Sequence, residues 1–197
     1  TIHISRYFMD TTNSLRLHAQ LHQLFKDAES RHLTDKEFEH FLKVVPQFEN
    51  RVKAAKEIKS FEVDVVDETI QEIFRMYPFI EKHELAQGKC YRDVHYVSAY
   101  CTLGMLMNDP EWVRDKFLIW FKTILQAFHF PARDQKVEAS TSQRIVTLEA
   151  DKLPQARSSI FETYSRLRHN YKEKLSPETF ALIEPFLKLS CDILSSE

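Results

Sequence analysis

The chain has 197 residues, of which 43% are hydrophobic, and a formal net charge of −2 at pH 7. This length and composition are typical of one globular domain with a real core, and they exclude a disordered chain and do not favour nucleic acid as the partner. No apolar run approaches the ~20 residues of a membrane span, and the first ten residues lack the apolar core of a secretory signal.

Helical patterns begin close to the N-terminus. We assign residues 1–14 to an N-terminal tail, and apolar residues then recur at nearly helical spacing within 12–30. Thr34 and, three positions later, Glu37 form a capping-box pattern that predicts the start of a second helix. Pro46 is expected to end or kink that helix.

The middle of the chain continues in the same way. A long amphipathic helix is predicted up to Pro78, followed by a short loop over 79–88 and a strong helix that ends at Asn108. Asp109 is the predicted cap of the next helix, with Pro110 close to its first position.

The C-terminal third contains a polar segment and two further helices. Residues 132–152 lack a clear period and are expected to form a loop or insertion. Ser176 and Pro177 predict the start of the last helix, and Pro185 predicts a kink in it. No convincing strand occurs and the chain has only 2 glycines, so we expect residues 1–197 to form a single all-α domain, more globin-like than a regular four-helix bundle.

Histidines offer two weak possibilities for a bound metal or haem. His18 and His22 form an HxxxH pattern without a third ligand at a diagnostic spacing, so solvated helix histidines are the better interpretation. His95 or His129 would be the axial ligand if a globin-like fold held haem. No nucleophile-elbow, P-loop or dinucleotide-binding motif is present, and we expect no enzyme activity.

The segment KCYRD at 89–93 carries the strongest candidate chemistry. The chain has 3 cysteines without a CxxC pattern, which fits a reducing cytoplasm better than a disulfide framework. Cys90 is predicted near a helix N-terminus, where the helix dipole favours a thiolate. A linear tetrapyrrole would offer a reactive carbon to the sulfur, acidic groups to Arg92 and N–H groups to Asp93; an ordinary, partly buried cysteine is the alternative.

Several motifs in this order resemble those of the phycobilisome proteins, the phycocyanin and allophycocyanin subunits of cyanobacteria and red algae. KCYRD at 89–93 resembles their K/A-C-x-R-D chromophore motif, and it is followed by Tyr96 and by MNDPEW at 107–112. DAESRHLTDKEF at 27–38 resembles the family's DAEGRYLSPAEL, and RVKAAKEI at 51–58 resembles RL-x-AA-x-x-I.

The resemblance implies a globin-like phycobiliprotein fold with an N-terminal helical extension that pairs subunits. Cys90 would carry a bilin of the phycocyanobilin type through a thioether, Arg92 would pair with a propionate, and Asp93 would bind the inner pyrrole nitrogens. The protein would then be a light-harvesting subunit, with other antenna subunits as partners in a homo- or hetero-oligomer. It would lie at the thylakoid surface in the cytoplasm of a cyanobacterium, or in the plastid stroma. The other positions assigned to the pigment site are Lys89, Tyr96 and Trp120.

Departures from the family pattern support a second hypothesis. Asp27 occupies the position of the family's pairing aspartate, but Ser98 and Ala99 replace the Leu-Arg that meets it across the subunit interface. Trp120 stands where the family has a small residue and would narrow or reshape the pocket, while Leu125 replaces a pocket aromatic. The alternative function is therefore an interaction protein of the same family that assembles or regulates the antenna with little or no pigment.

Overall fold

Helices account for the regular structure in a computed structural model, which describes residues 19–21, 23–28, 30–81, 86–129 and 153–196; no strand occurs in these ranges. The helices are α1 (19–21 and 23–27), α2 (Asp35–Val44), α3 (Glu49–Met76), α4 (Pro78–Glu81), α5 (Ala86–Met107), α6 (Pro110–Val113), α7 (Ile119–His129), α8 (Leu153–Lys174) and α9 (Pro177–Ser195). A 3₁₀ turn at Pro46–Phe48 precedes α3, and a π-helical turn at Arg114–Leu118 joins α6 to α7.

The predicted capping residues begin three of these helices. The Thr34 hydroxyl accepts a hydrogen bond from the Glu37 backbone N–H, and the Glu37 carboxylate accepts one from the Thr34 N–H at 2.7 Å, which completes the capping box of α2. Asp109 accepts from the N–H of Trp112 at 2.9 Å at the start of α6. Ser176 caps α9 in the same way. These predictions are confirmed.

The predicted loop over 79–88 is wrong at both ends. Pro78 begins α4, because its fixed φ suits a first helical position, and α5 already begins at Ala86. Gly88 therefore lies inside a helix, which glycine disfavours but does not prevent. At the C-terminus, α9 continues through Pro185 to Ser195.

The core forms where α3, α5, α8 and α9 pack against one another. Gly104 of α5 allows α6 and α9 to approach closely, since a Cβ at this position would overlap Cγ2 of Val113 and lie 3.1 Å from Cδ1 of Phe186. The ring of Phe117 stacks on Tyr100 with a centroid distance of 4.2 Å and fastens the turn between α6 and α7 to α5. These contacts fix the orientation of α5, the helix that carries KCYRD.

Several predictions fall outside the described residues: the tail 1–14, the segment 132–152, and His18 and His22. The backbone of His129 ends α7, but its side chain is also outside the described part. Within the described ranges, no helix is both long enough and apolar enough to cross a membrane.

Candidate functional site

A cavity of about 80 Å³ lies beside α5 and contains the thiol of the KCYRD segment. From α5, Cys90 and Asp93 line it together with Val94. The remaining walls come from α3, α4, α7 and α8, and they are mostly apolar. These wall residues are Ile70, Ile73, Ile80, Leu125, Ser159, Ile160, Thr163 and Tyr164. The thiol and the carboxylate thus face one interhelical space.

The thiol of Cys90 is protonated at neutral pH. Burial, and secondarily the nearby carboxylate of Asp93, raises its pKa from about 9 to about 11. The prediction that the helix dipole favours a thiolate is therefore wrong for this environment, because removal from water and a neighbouring negative charge both disfavour the anion. Since α5 begins at Ala86, Cys90 also lies beyond the first turn, where the dipole acts most strongly.

Arg92 and Asp93 form an ion pair at the edge of the cavity. Nη2 and Nε of Arg92 donate to Oδ1 of Asp93 at 2.6 and 2.9 Å. The guanidinium carbon also lies 5.9 Å from the ring centroid of Tyr96, within the range of a cation–π contact. Burial raises the pKa of Asp93, although the positive charges of Arg92 and Lys89 oppose this. Among the predicted residues, Asp93 thus shares the cavity with Cys90, and Arg92 is joined to it through Asp93.

Trp120 is not part of this cavity. Its side chain is 59% exposed on α7, and its ring centroid lies 6.4 Å from that of Phe117. The inward face of this region is occupied by Phe117, Leu118 and Phe121, which are buried, so Trp120 is directed to solvent. The expectation that Trp120 narrows the pocket is wrong, whereas Leu125 does line the cavity.

The comparison with known protein families identifies the chain's family. A family model described as phycobilisome protein matches residues 25–164. This chain belongs to the phycobilisome protein family. The matched range includes α2 to α7 and ends at Tyr164 in α8, so it contains the whole KCYRD segment. No match was found among curated proteins. The predicted all-α, globin-like phycobiliprotein fold is confirmed.

The residues of this phycobilisome protein fit the chemistry of a bilin. Cys90 supplies a thiol, Arg92 a cation and Asp93 a partly buried carboxylate, all within one turn of α5. The space they enclose fits only a portion of such a ligand, because 80 Å³ is well below the ~300–1,000 Å³ of typical ligand pockets. In the described ranges, no group of three or more His, Cys, Asp or Glu residues is arranged to hold a metal ion.

A buried cluster of one glutamate and two histidines, not predicted from the sequence, lies next to the site in this phycobilisome protein. Oε1 of Glu62 lies 2.6 Å from Nε2 of His32 and 3.1 Å from Nδ1 of His95. Burial favours the protonated carboxyl, but the two imidazoles outweigh it and lower the pKa of Glu62 to about 2. The same contact raises the pKa of His95. His95, considered above as a haem ligand, is therefore engaged with a carboxylate and does not line the cavity.

A signal for this cluster was present in the sequence. Glu62 lies four positions after Ile58 and three before Val65, on the buried face of α3. A carboxylate in an apolar stripe requires a polar or charged partner when the helix packs. The histidines that serve this purpose come from the loop before α2 and from α5, and no local pattern connects them to Glu62.

Proposed function

We propose that this phycobilisome protein carries a bilin on Cys90 and serves light harvesting or energy transfer in or beside a phycobilisome. The observation that supports this most directly is that Cys90 and Asp93 face one cavity, with Arg92 at its edge. The proposed role is photophysical and not enzymatic, and the bound pigment supplies the visible absorption.

Each residue of the site has a defined role in this proposal. The S–H of Cys90 adds across an exocyclic carbon–carbon double bond, with sulfur on one carbon and hydrogen on its neighbour, so no group is released. Arg92 exchanges its partner Asp93 for a propionate, and Asp93 then accepts hydrogen bonds from pyrrole N–H groups. Tyr96 holds Arg92 at the edge through the cation–π contact. Lys89 adds positive charge, which favours the ionised form of Asp93.

We further propose that the protein works at the thylakoid surface in the cytoplasm of a cyanobacterium, or in the plastid stroma, as one domain over 1–197. Its partners are antenna subunits in a homo- or hetero-oligomer. Membership of the phycobilisome family supports this setting.

One observation favours the second candidate, an interaction protein that assembles or regulates the antenna with little pigment. At the positions of the family's Leu-Arg pair, Ser98 and Ala99 are both fully buried, and Oγ of Ser98 lies 2.5 Å from Oη of Tyr171. Where the family has an arginine that pairs with a second subunit, this chain thus has small residues that pack in the core of its own subunit. The cavity volume of about 80 Å³ also favours the second candidate, because a space of this size encloses only a portion of a bilin.

Covalent loading distinguishes the two candidates. The protein is produced in cells that make bilins, and zinc-induced fluorescence on a denaturing gel is combined with the absorption spectrum of the denatured protein. We expect a covalent visible band in wild type that is lost in Cys90→Ala and retained in the matched control Cys191→Ala. Absence of the band in wild type, when a known phycobiliprotein is loaded in parallel, would overturn the proposal in favour of the interaction protein.

A further inference from the structure

Helix α8 closes one side of the cavity at Cys90. It contributes Ser159, Ile160, Thr163 and Tyr164, which lie far along the chain from the KCYRD segment. Tyr164 is the largest of the four and only 4% exposed. Burial raises its pKa well above the ordinary value, and the charges of Asp93 and Cys90 add to this effect, which is consistent with a phenol close to both groups.

The volume of the cavity limits the size of a group that can be enclosed beside Cys90. An apolar cavity of ~150 Å³ is what a benzene-sized molecule occupies in a protein core, whereas the space at Cys90 is about 80 Å³. A ligand with a ring next to the sulfur therefore meets the wall before the ring is enclosed. The hydroxyl of Thr163 in this wall already donates to the carbonyl oxygen of Ser159 at 2.6 Å, so it is engaged within α8.

We propose that Tyr164 is the specificity-determining residue of the Cys90 site: its ring sets the largest group that can be enclosed beside the thiol. Among the described residues that line the cavity, the other large side chains are aliphatic, namely Ile70, Ile73, Ile80, Leu125 and Ile160, and Tyr164 alone presents an aromatic ring whose removal opens a ring-sized space. The inference deepens the proposed function, on which it rests for the identity of the ligand. The size limit itself concerns the thiol and can be measured without pigment.

The test compares how fast Cys90 reacts with a small and a large thiol reagent. Intact protein is treated with iodoacetamide or pyrene maleimide, and labelling of Cys90 is followed by peptide mass mapping, which separates it from Cys101 and Cys191. For Tyr164→Ala we expect the ratio of the large-reagent rate to the small-reagent rate to rise about tenfold over wild type. For Tyr164→Phe, which keeps the ring, we expect the wild-type ratio.

Two results would overturn the inference. One is a Tyr164→Ala ratio equal to that of wild type, and the other is an equal rise in Leu167→Ala. Leu167 lies on the same helix and is 1% exposed, but it does not line the cavity. A rise in that variant would mean that any loosening of α8 exposes the thiol.

The outcome can be separated from that of the proposed function. If wild type takes up no bilin but the ratio rises in Tyr164→Ala alone, the size limit is upheld and the pigment assignment fails. If wild type is loaded with bilin and the ratio does not respond to Tyr164→Ala, the assignment of Tyr164 fails and the pigment proposal is upheld.

Discussion

The carboxylate of Glu62 lies 2.6 Å from Nε2 of His32, and both side chains are buried. This contact joins the loop before α2 to the middle of α3. His95 of α5 contacts the same carboxylate oxygen at 3.1 Å. The carboxylate of Glu62 therefore connects α3 to both the loop before α2 and α5. On α5, its partner His95 lies about one helical turn after Arg92.

Replacing Glu62 with glutamine should lower the free energy of unfolding by about 3–5 kcal/mol, because a buried histidine loses its anion. Urea denaturation measures the change. Glu68→Gln is the matched control on the same helix: Glu68 contacts Nζ of Lys174 at 2.6 Å, but the carboxylate is about half exposed, so its loss should cost about 0–1 kcal/mol. Equal losses in the two variants would contradict the importance of burial.

The difference in unfolding free energy between wild type and Glu62→Gln should decrease both at low pH and at high pH. The pKa of Glu62 is lowered from 4.5 to about 2, so its contribution is complete above pH 4.5 and is lost as the pH falls toward 2. The pKa of His95 is raised above 6.5, so its contribution is complete below pH 6.5 and is lost as the pH rises through the raised value. Urea midpoints across pH should show the largest difference between pH 4.5 and 6.5. A difference that grows steadily above neutral pH would refute this assignment.

The alkylation rate of Cys90 should rise with pH without a plateau until about pH 11, the pKa of its thiol. Asp93→Asn should move the plateau to lower pH, because the negative charge that disfavours the thiolate is removed. Iodoacetamide kinetics with peptide mapping provide the measurement. Asp64→Asn, an exposed position on α3, serves as the control and should leave the profile unchanged. An Asp93→Asn profile identical to wild type would show that burial alone controls the thiol.

The two glycines of α5 should respond oppositely to alanine. Gly104→Ala should destabilise the protein by about 1–3 kcal/mol, because the added methyl group overlaps the stiff, buried side chain of Val113. Gly88→Ala meets nothing within 4 Å and should stabilise the protein by about 0.5–1 kcal/mol through better helix propensity. Thermal unfolding of both variants decides this, and destabilisation by Gly88→Ala would contradict it.

Features encoded in a few neighbouring residues were predictable from the sequence. The capping box of Thr34 and Glu37 and the start of α6 at Pro110 depend on side chains within one turn of the backbone they satisfy. The KCYRD segment was likewise found because its thiol and charges share one turn of α5. The loop predicted before Gly88 was wrong because propensity is a weak guide where tertiary packing decides.

Features that depend on distant parts of the chain were not predictable. The raised pKa of Cys90 follows from burial against α3 and α8, and no residue near it in sequence reveals that burial. Tyr164 joins the cavity wall only after α8 packs beside α5. Trp120 was placed in the pocket by its position in the family motif, but the packing of the region around α7 directs it to solvent.

The π-helical turn at Arg114–Leu118 contains one residue more than the α-helical turn it replaces. Removing one residue from this turn would therefore restore a regular α-helix and leave the register of α7 nearly unchanged. Ile119 and Trp120, now 52% and 59% exposed, would keep facing solvent, and Phe121 would stay in the core. The wide turn thus accommodates one extra residue between α6 and α7 without changing which face of α7 is presented to solvent.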